Sequence, residues 1–356
     1  MADSAPQLGL GAARRRAWAL GGVLIVTMIV TMFVGILFGS VTVDPSEVIA
    51  ILRNQLLPGG AADAGGTNTA VIWEIRTPRV VLGAFAGAGL AVAGLIMQAL
   101  VRNMLADPYV VGINSGASCG AAGAILFGFG AMFGDYALQT SAFLGALAAS
   151  VLIFVVARAG GTLTSVRLLM AGVAVGYALS ALTSFLIFAS DSAEGSRSVM
   201  FWLLGSLGLA AFNGPLLVVA VVVCIVILLA ARWASKLDAL ALGDDTALTL
   251  GMNPERFRAV ALVVTCLLIG VIVAMVGSIG FVGLVVPHLA RRLVGGVHRY
   301  SIPISALLGA VLLLWADLGA RTLMSPEEIP IGIITALVGA PFLLILVRRM
   351  YSGHNH

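Results

Sequence analysis

The sequence predicts an all-α polytopic membrane protein, and three observations predict it. Of its 356 residues, 60% are apolar and only 10% are charged, with a mean hydropathy of +1.08. The apolar residues gather into ten runs, most of them near the roughly 20 residues that a helix needs to cross a bilayer. The cations are divided unevenly between the connections. A water-exposed globule carries about 25% charged residues, so this chain has too little polar surface to coat one. Residues 1–356 read as a single transmembrane domain, because ten spans leave only short loops.

Arg14, Arg15 and Arg16 precede the first run, residues 17–39. It is longer than the apolar core of a signal peptide, about 7–15 residues, and lacks a small-residue cleavage site, so it is expected as an uncleaved span. A polar stretch follows, with an amphipathic piece at 45–57 and a Gly/Ala-rich loop at 59–66. The further runs are 80–101, 109–133, 137–157, 168–189, 215–231, 260–276, 281–293, 302–319 and 331–347. The run at 281–293 is short and follows Gly277-Ser278-Ile279-Gly280, which leaves a broken span or a re-entrant turn open beside a full crossing. A short surface helix is expected at 199–207. Glycines cluster at 83–94 and 112–123, where small residues let helix backbones approach in lipid.

With the N-terminus inside and ten crossings, fifteen of the twenty cations fall on the cytoplasmic side, as the positive-inside rule requires. Both termini are therefore expected in the cytoplasm. Five cations remain outside: Arg53, Arg76, Arg79, Arg197 and Arg321.

Several function classes are excluded. The lone lysine, Lys236, is not part of a phosphate-cradling Gly-x-x-x-x-Gly-Lys-Ser/Thr loop, so no ATPase is expected on this chain. Cys119, Cys224 and Cys266 stand far apart in apolar runs and read as small buried hydrophobes. His354 and His356 form an incidental tail, and no metal site or catalytic cluster is expected. An ion-coupled secondary carrier would want paired carboxylates at mid-membrane. The spans offer only Asp317 near a rim, one turn before Arg321, where the two are expected to pair.

The motifs carry more. In order they are Arg76-Thr77-Pro78-Arg79, Gly94-Leu95-Ile96-Met97-Gln98, Arg102-Asn103-Met104-Leu105-Ala106-Asp107-Pro108 and Gly112-Ile113-Asn114-Ser115-Gly116-Ala117. Then come Gly280-Phe281-Val282-Gly283-Leu284 with Pro287-His288, Ala316-Asp317 with Arg321, and Glu328-Ile329-Pro330-Ile331-Gly332. Over residues 76–347 this resembles the FecCD-type permeases of binding-protein-dependent ABC importers, which carry iron–siderophores, haem or cobalamin. Met104 stands where the family commonly has Pro, and Val297 where an Asp often precedes His298-Arg299. Both departures touch only local loop geometry.

The resemblance implies a type II ABC importer permease fold of about ten helices with an inverted pseudo-repeat, in a bacterial cell membrane. It also implies partners: a second permease subunit, two ATP-binding subunits that use ATP and Mg, and an extracytoplasmic binding protein. No cofactor is expected on this chain, and no nucleic acid among its partners. A ferric siderophore is the expected cargo, with haem or cobalamin as the alternatives. Arg76, Arg79 and Arg321 would receive carboxylates of the binding protein, the other reading being lipid headgroups or local pairs. The loop at 237–258 would couple to the ATPase through Leu242, Gly243, Ala247, Leu250 and Gly251. Its two Gly-punctuated short helices have apolar faces and no lipid to meet. Gln98, Asn103, Leu105, Thr164 and Ser165 would lie on the pathway or its cytoplasmic gate. Gln98, Asn114, Ser115, Ser118, Thr183 and Ser184 are polar groups at membrane depth, where isolated ones usually bond a neighbouring helix.

Overall fold

The computed structural model describes residues 10–39, 43–56, 66–159 and 161–352. The glycine-rich stretch before Gly66 and the tail with His354 and His356 lie outside the described residues. Every regular element among the described residues is helical.

Helix α1 spans Leu10–Leu37. The amphipathic piece is α2 (Pro45–Leu56), which starts where Asp44 accepts the Ser46 N–H at 2.9 Å. Helix α3 (Thr67–Val101) includes a π-helical turn at Ala70–Arg76 and ends at Arg102, whose φ of 55° is left-handed. The single run expected at 109–133 is divided. A 3-10 turn, Pro108–Val111, precedes α4 (Ile113–Phe127), which is bounded by Gly112 and Gly128 at φ 77° and 69°. Glycine adopts that left-handed conformation without a Cβ clash, so these two positions stop the helix inside an apolar stretch.

Helices α5 (Ala137–Ala159) and α6 (Ser165–Phe188) follow, α6 opening ahead of its apolar run because the Thr164 hydroxyl accepts the Arg167 N–H at 3.3 Å. The surface helix expected at 199–207 is α7 (Ala193–Leu204). Ser192 caps its start by accepting the Gly195 N–H at 2.9 Å, and Gly205 at φ 78° ends it. The remaining helices are α8 (Gly214–Arg232), α9 (Ala234–Leu242), α10 (Asp244–Thr249), α11 (Pro254–Val276), α12 (Val282–Val294), α13 (His298–Thr322) and α14 (Ile331–Ser352).

Among the described residues, seven helices are long and apolar enough to cross a membrane, and Ile113–Phe127 and Ile331–Leu346 are shorter apolar ones. The run at 281–293 is α12, of 13 residues. At 1.5 Å per residue it is about 20 Å long, short of the hydrocarbon core of about 30 Å.

The helix α3 lies at the centre of the bundle, buried almost all round, against α8, α11, α12 and α13. A helix that is apolar on every side suits that place. Its closest approaches are glycine to glycine. A Cβ on Gly87 would collide with the Gly309 carbonyl on α13, and one on Gly94 with the Gly283 carbonyl on α12. Gly116 on α4 and Gly145 on α5 meet in the same way. Apolar side chains gain little by leaving lipid for protein, so close backbone packing is what holds such helices together.

Candidate functional site

Arg76, Arg79 and Arg321 gather at one end of the bundle, and all three are buried. The reason lies in α1, whose last carbonyls have no intrahelical donors. Arg76 Nη1 donates to Ile36 O at 2.9 Å and to Leu37 O at 2.8 Å. Arg321 donates to Gly35 O and Phe38 O, both at 2.9 Å. Two guanidinium groups thus cap the end of α1 and meet the negative pole of its dipole.

The same cluster is closed by carboxylates. Arg321 Nε donates to Asp317 Oδ2 at 3.0 Å, the pairing expected one turn apart, and Arg79 Nε donates to Asp317 Oδ1 at 2.8 Å. Arg79 Nη1 also meets Glu328 at 2.9 Å. Asp317 is 1% exposed, whereas the Glu328 side chain is 46% exposed. The expected docking groups are therefore engaged within the chain.

Between the two ends of the chain's central helix, two interrupted segments meet. Ser278 donates to Asn114 Oδ1 at 2.7 Å, the Ile279 N–H donates to Tyr109 Oη at 3.3 Å, and Gly283 packs on Pro108. Gln98 spans from α3 to α12, donating to Leu284 O at 3.4 Å and accepting from Arg291. Ser115 bonds Ser180 on α6 at 3.1 Å, while Ser118, Thr183 and Ser184 donate to carbonyls one turn back in their own helices.

At the opposite end the expected gate residues come together around the end of α3. The Ser165 hydroxyl donates to Leu100 O at 2.9 Å, beside Thr164, the cap of α6. Asn103 Oδ1 accepts the Leu105 N–H at 2.9 Å and closes the turn that follows α3. Gln98 lies deeper on α3, outside this group.

That end also carries α9 and α10. Leu242 and Leu250 are 72% and 68% exposed, and Gly243 (φ 129°) and Gly251 (φ 77°) break the helices on either side of α10. Ala247 is fully buried against its own chain, so it does not belong to the exposed face. Asp238 on α9 accepts the His298 backbone N–H at 3.0 Å and meets His298 Nδ1 at 2.6 Å, tying the loop to the start of α13.

Sequence reasoning missed one residue here: Arg258, buried in the first turns of α11. The signal was its spacing. Arg258 shares a helical face with Ala261, Leu262 and Thr265, all of them buried. Among the described residues no group of three or more His, Cys, Asp or Glu side chains is placed to hold a metal ion.

A sequence profile of the FecCD transport family matches residues 4–349. HmuU of Yersinia pestis, a hemin transport system permease, is 43% identical over 80% of this chain and 85% of its own. BtuC of Vibrio cholerae, a vitamin B12 import system permease, is 38% identical over 94% and 96%. FepD of Escherichia coli, a ferric enterobactin transport system permease, is 37% identical over 95% and 97%. A solved inward-facing structure of a metal-chelate type ABC transporter superposes with a TM-score of 0.79 at 32% identity, covering 93% of this chain and 99% of that one. The helical bundle and these likenesses define a permease subunit of an ABC importer. The chain belongs to the FecCD transport family.

Proposed function

We propose that this permease carries a large metal chelate, a ferric siderophore complex, into the cytoplasm, with a second permease subunit beside it and two ATP-binding subunits below. The observation that carries the ATP-driven reading is the exposed leucine pair on either side of α10, Leu242 and Leu250. They stand at the ends of short helices beyond the apolar spans, where lipid does not cover them. The likenesses to the ferric enterobactin and hemin permeases support an iron chelate. A cobalamin cargo is the second reading, and the likeness to the vitamin B12 permease favours it.

On the positive-inside count, α9 and α10 and both termini are read as cytoplasmic, in a bacterial cell membrane. Thr164, Ser165, Asn103 and Leu105 then form the cytoplasmic gate, with Gln98 deeper in the pathway. The arginine cluster faces outward to the binding protein. Arg79 takes up a carboxylate of that protein as Glu328 swings away, while Arg76 and Arg321 hold the end of α1 beneath. Hydrolysis belongs to the ATP-binding subunits, and this chain binds no cofactor of its own.

The decisive experiment is reconstitution with the ATP-binding subunits and binding protein of the same system. The binding protein is titrated with ferric siderophore, haem and cobalamin, and uptake of the tightest ligand is followed in proteoliposomes. ATP-dependent uptake is expected. Uptake by the permease alone would make it a secondary carrier and sink the reading. Replacing both Leu242 and Leu250 by Asp is expected to abolish co-purification of the ATP-binding subunits from a correctly inserted permease, since a buried unpaired charge costs about 3–5 kcal/mol. Unchanged co-purification would remove α9 and α10 as the coupling surface.

A further inference from the structure

Arg258 is among the largest fully buried side chains in the protein, at 1% exposure. Its guanidinium spends its donors on three separate segments. Nε donates to Leu100 O at 3.3 Å, in the last turn of α3. Nη1 donates to Leu163 O at 2.9 Å, in the strip of chain just before α6. Nη2 donates to Asp244 Oδ1 at 2.8 Å, on the first residue of α10. Each acceptor has a reason to be available. Leu100 O is among the carbonyls a helix end leaves without an intrahelical donor, and Leu163 precedes the first turn of α6. The Asp244 carboxylate is 37% exposed, next to the break at Gly243.

We infer that Arg258 is the positioning residue that transmits movement of α10 to the gate, rigidly linking the Asp244 carboxylate to Leu163 and Leu100. The inference rests on the reading of α9 and α10 as the ATPase contact. The geometry suits a transmitter. The planar guanidinium fork fixes three acceptors at once, whereas a lysine ammonium is a point charge on a flexible stem. Leu100 O also receives the Ser165 hydroxyl at 2.9 Å, so the end of α3 and the opening of α6 are bonded to each other as well as to Arg258. A push on α10 therefore reaches Ser165 through three hydrogen bonds in series, Asp244 to Arg258, Arg258 to Leu100 O and Leu100 O to Ser165. No chain of side-chain repacking is needed. Its outer partner, Asp244, opens the short helix that lies between the exposed Leu242 and Leu250, and its inner partners sit on the segments that close the gate.

The test uses the whole complex, permease with its ATP-binding subunits, in proteoliposomes. Cys119, Cys224 and Cys266 are replaced by alanine, and Leu105→Cys, whose side chain is not one of the links, reports on the gate. Thiol labelling at that cysteine is timed with and without vanadate-trapped nucleotide. The parent is expected to show a difference of about fivefold, the low end of ordinary coupling between sites. Asp244→Asn leaves Arg258 its two backbone acceptors and keeps the fold. It is expected to retain bound ATP-binding subunits and ATP hydrolysis but to lose the difference in labelling. Asp244→Glu, which restores a carboxylate, is expected to recover it, and Arg258→Lys to lose it. A labelling difference that survives in Asp244→Asn overturns the proposal, as does a parent that shows none. Loss of the ATP-binding subunits from Asp244→Asn also overturns it, since Asp244 would then be a docking group. The reading it rests on fails differently: the Leu242 and Leu250 double variant would keep its ATP-binding subunits.

Discussion

Both ends of the bundle bury arginines against backbone carbonyls and a carboxylate, yet the two arrangements do opposite things. At the α1 end, two guanidinium groups share four carbonyls of one helix terminus, and Asp317 is enclosed between Arg79 and Arg321. The carboxylate that two arginines share, Asp317, is 1% exposed, with the half-exposed Glu328 at its rim, so this end is a cap. At the α10 end, one guanidinium is stretched across three segments, and its carboxylate partner is partly open to solvent. That end is a joint. The chemistry is the same, and what differs is how many chain segments one cation holds and whether its carboxylate is enclosed between two arginines or held by one and partly open.

The comparison breaks most visibly at Asp317. Asp317→Asn removes the charge that two buried arginines share, and losing one partner of a buried pair costs about 3–5 kcal/mol. A markedly lower unfolding temperature of the purified permease is expected. An unchanged one would mean that Glu328 alone satisfies Arg79 and the α1 carbonyls alone satisfy Arg321. At the joint, Arg258→Lys strands at least one buried acceptor, worth about 1–3 kcal/mol, and should lower the unfolding temperature less than Asp317→Asn does. The reverse order would make Arg258 the main structural lock. The smallest effect belongs to Glu328→Gln. A half-exposed ion pair contributes about 0–1 kcal/mol, so stability should barely move. Binding-protein affinity at low salt should rise, because Arg79 no longer has to give up an internal carboxylate. A fall in affinity would show that Glu328 itself faces the partner. Reversal of Arg53 to Glu, outside the cluster, should change affinity less than reversal of Arg79.

How much of this was legible in the sequence depends on whether a feature is written in side chains or in backbone. The ten apolar runs, the two short helices around Gly243 and the pair of Asp317 with Arg321 follow from composition and spacing along the chain. The division of the 109–133 run does not, because Gly112 and Gly128 look like any other small residues in a glycine-rich span. Nor does the start of α7, which depends on the Ser192 cap rather than on hydropathy. Arg79 meets Asp317 across 238 positions of sequence, a contact that only the folded bundle creates. Arg258 was counted merely as one cation among those at the inner face, because two of its three acceptors are carbonyls, which every residue possesses.

The glycine seams between α3 and its neighbours have a thermodynamic consequence. Where Gly87 lies on Gly309 and Gly94 on Gly283, no side chain is frozen into a rotamer. In lipid, little water leaves these surfaces when they close, so the heat-capacity change that makes hydrophobic contacts weaken on cooling is largely missing. The centre of this bundle should therefore hold nearly as well in the cold as at growth temperature, and its tightness should respond to bilayer composition more than to heat.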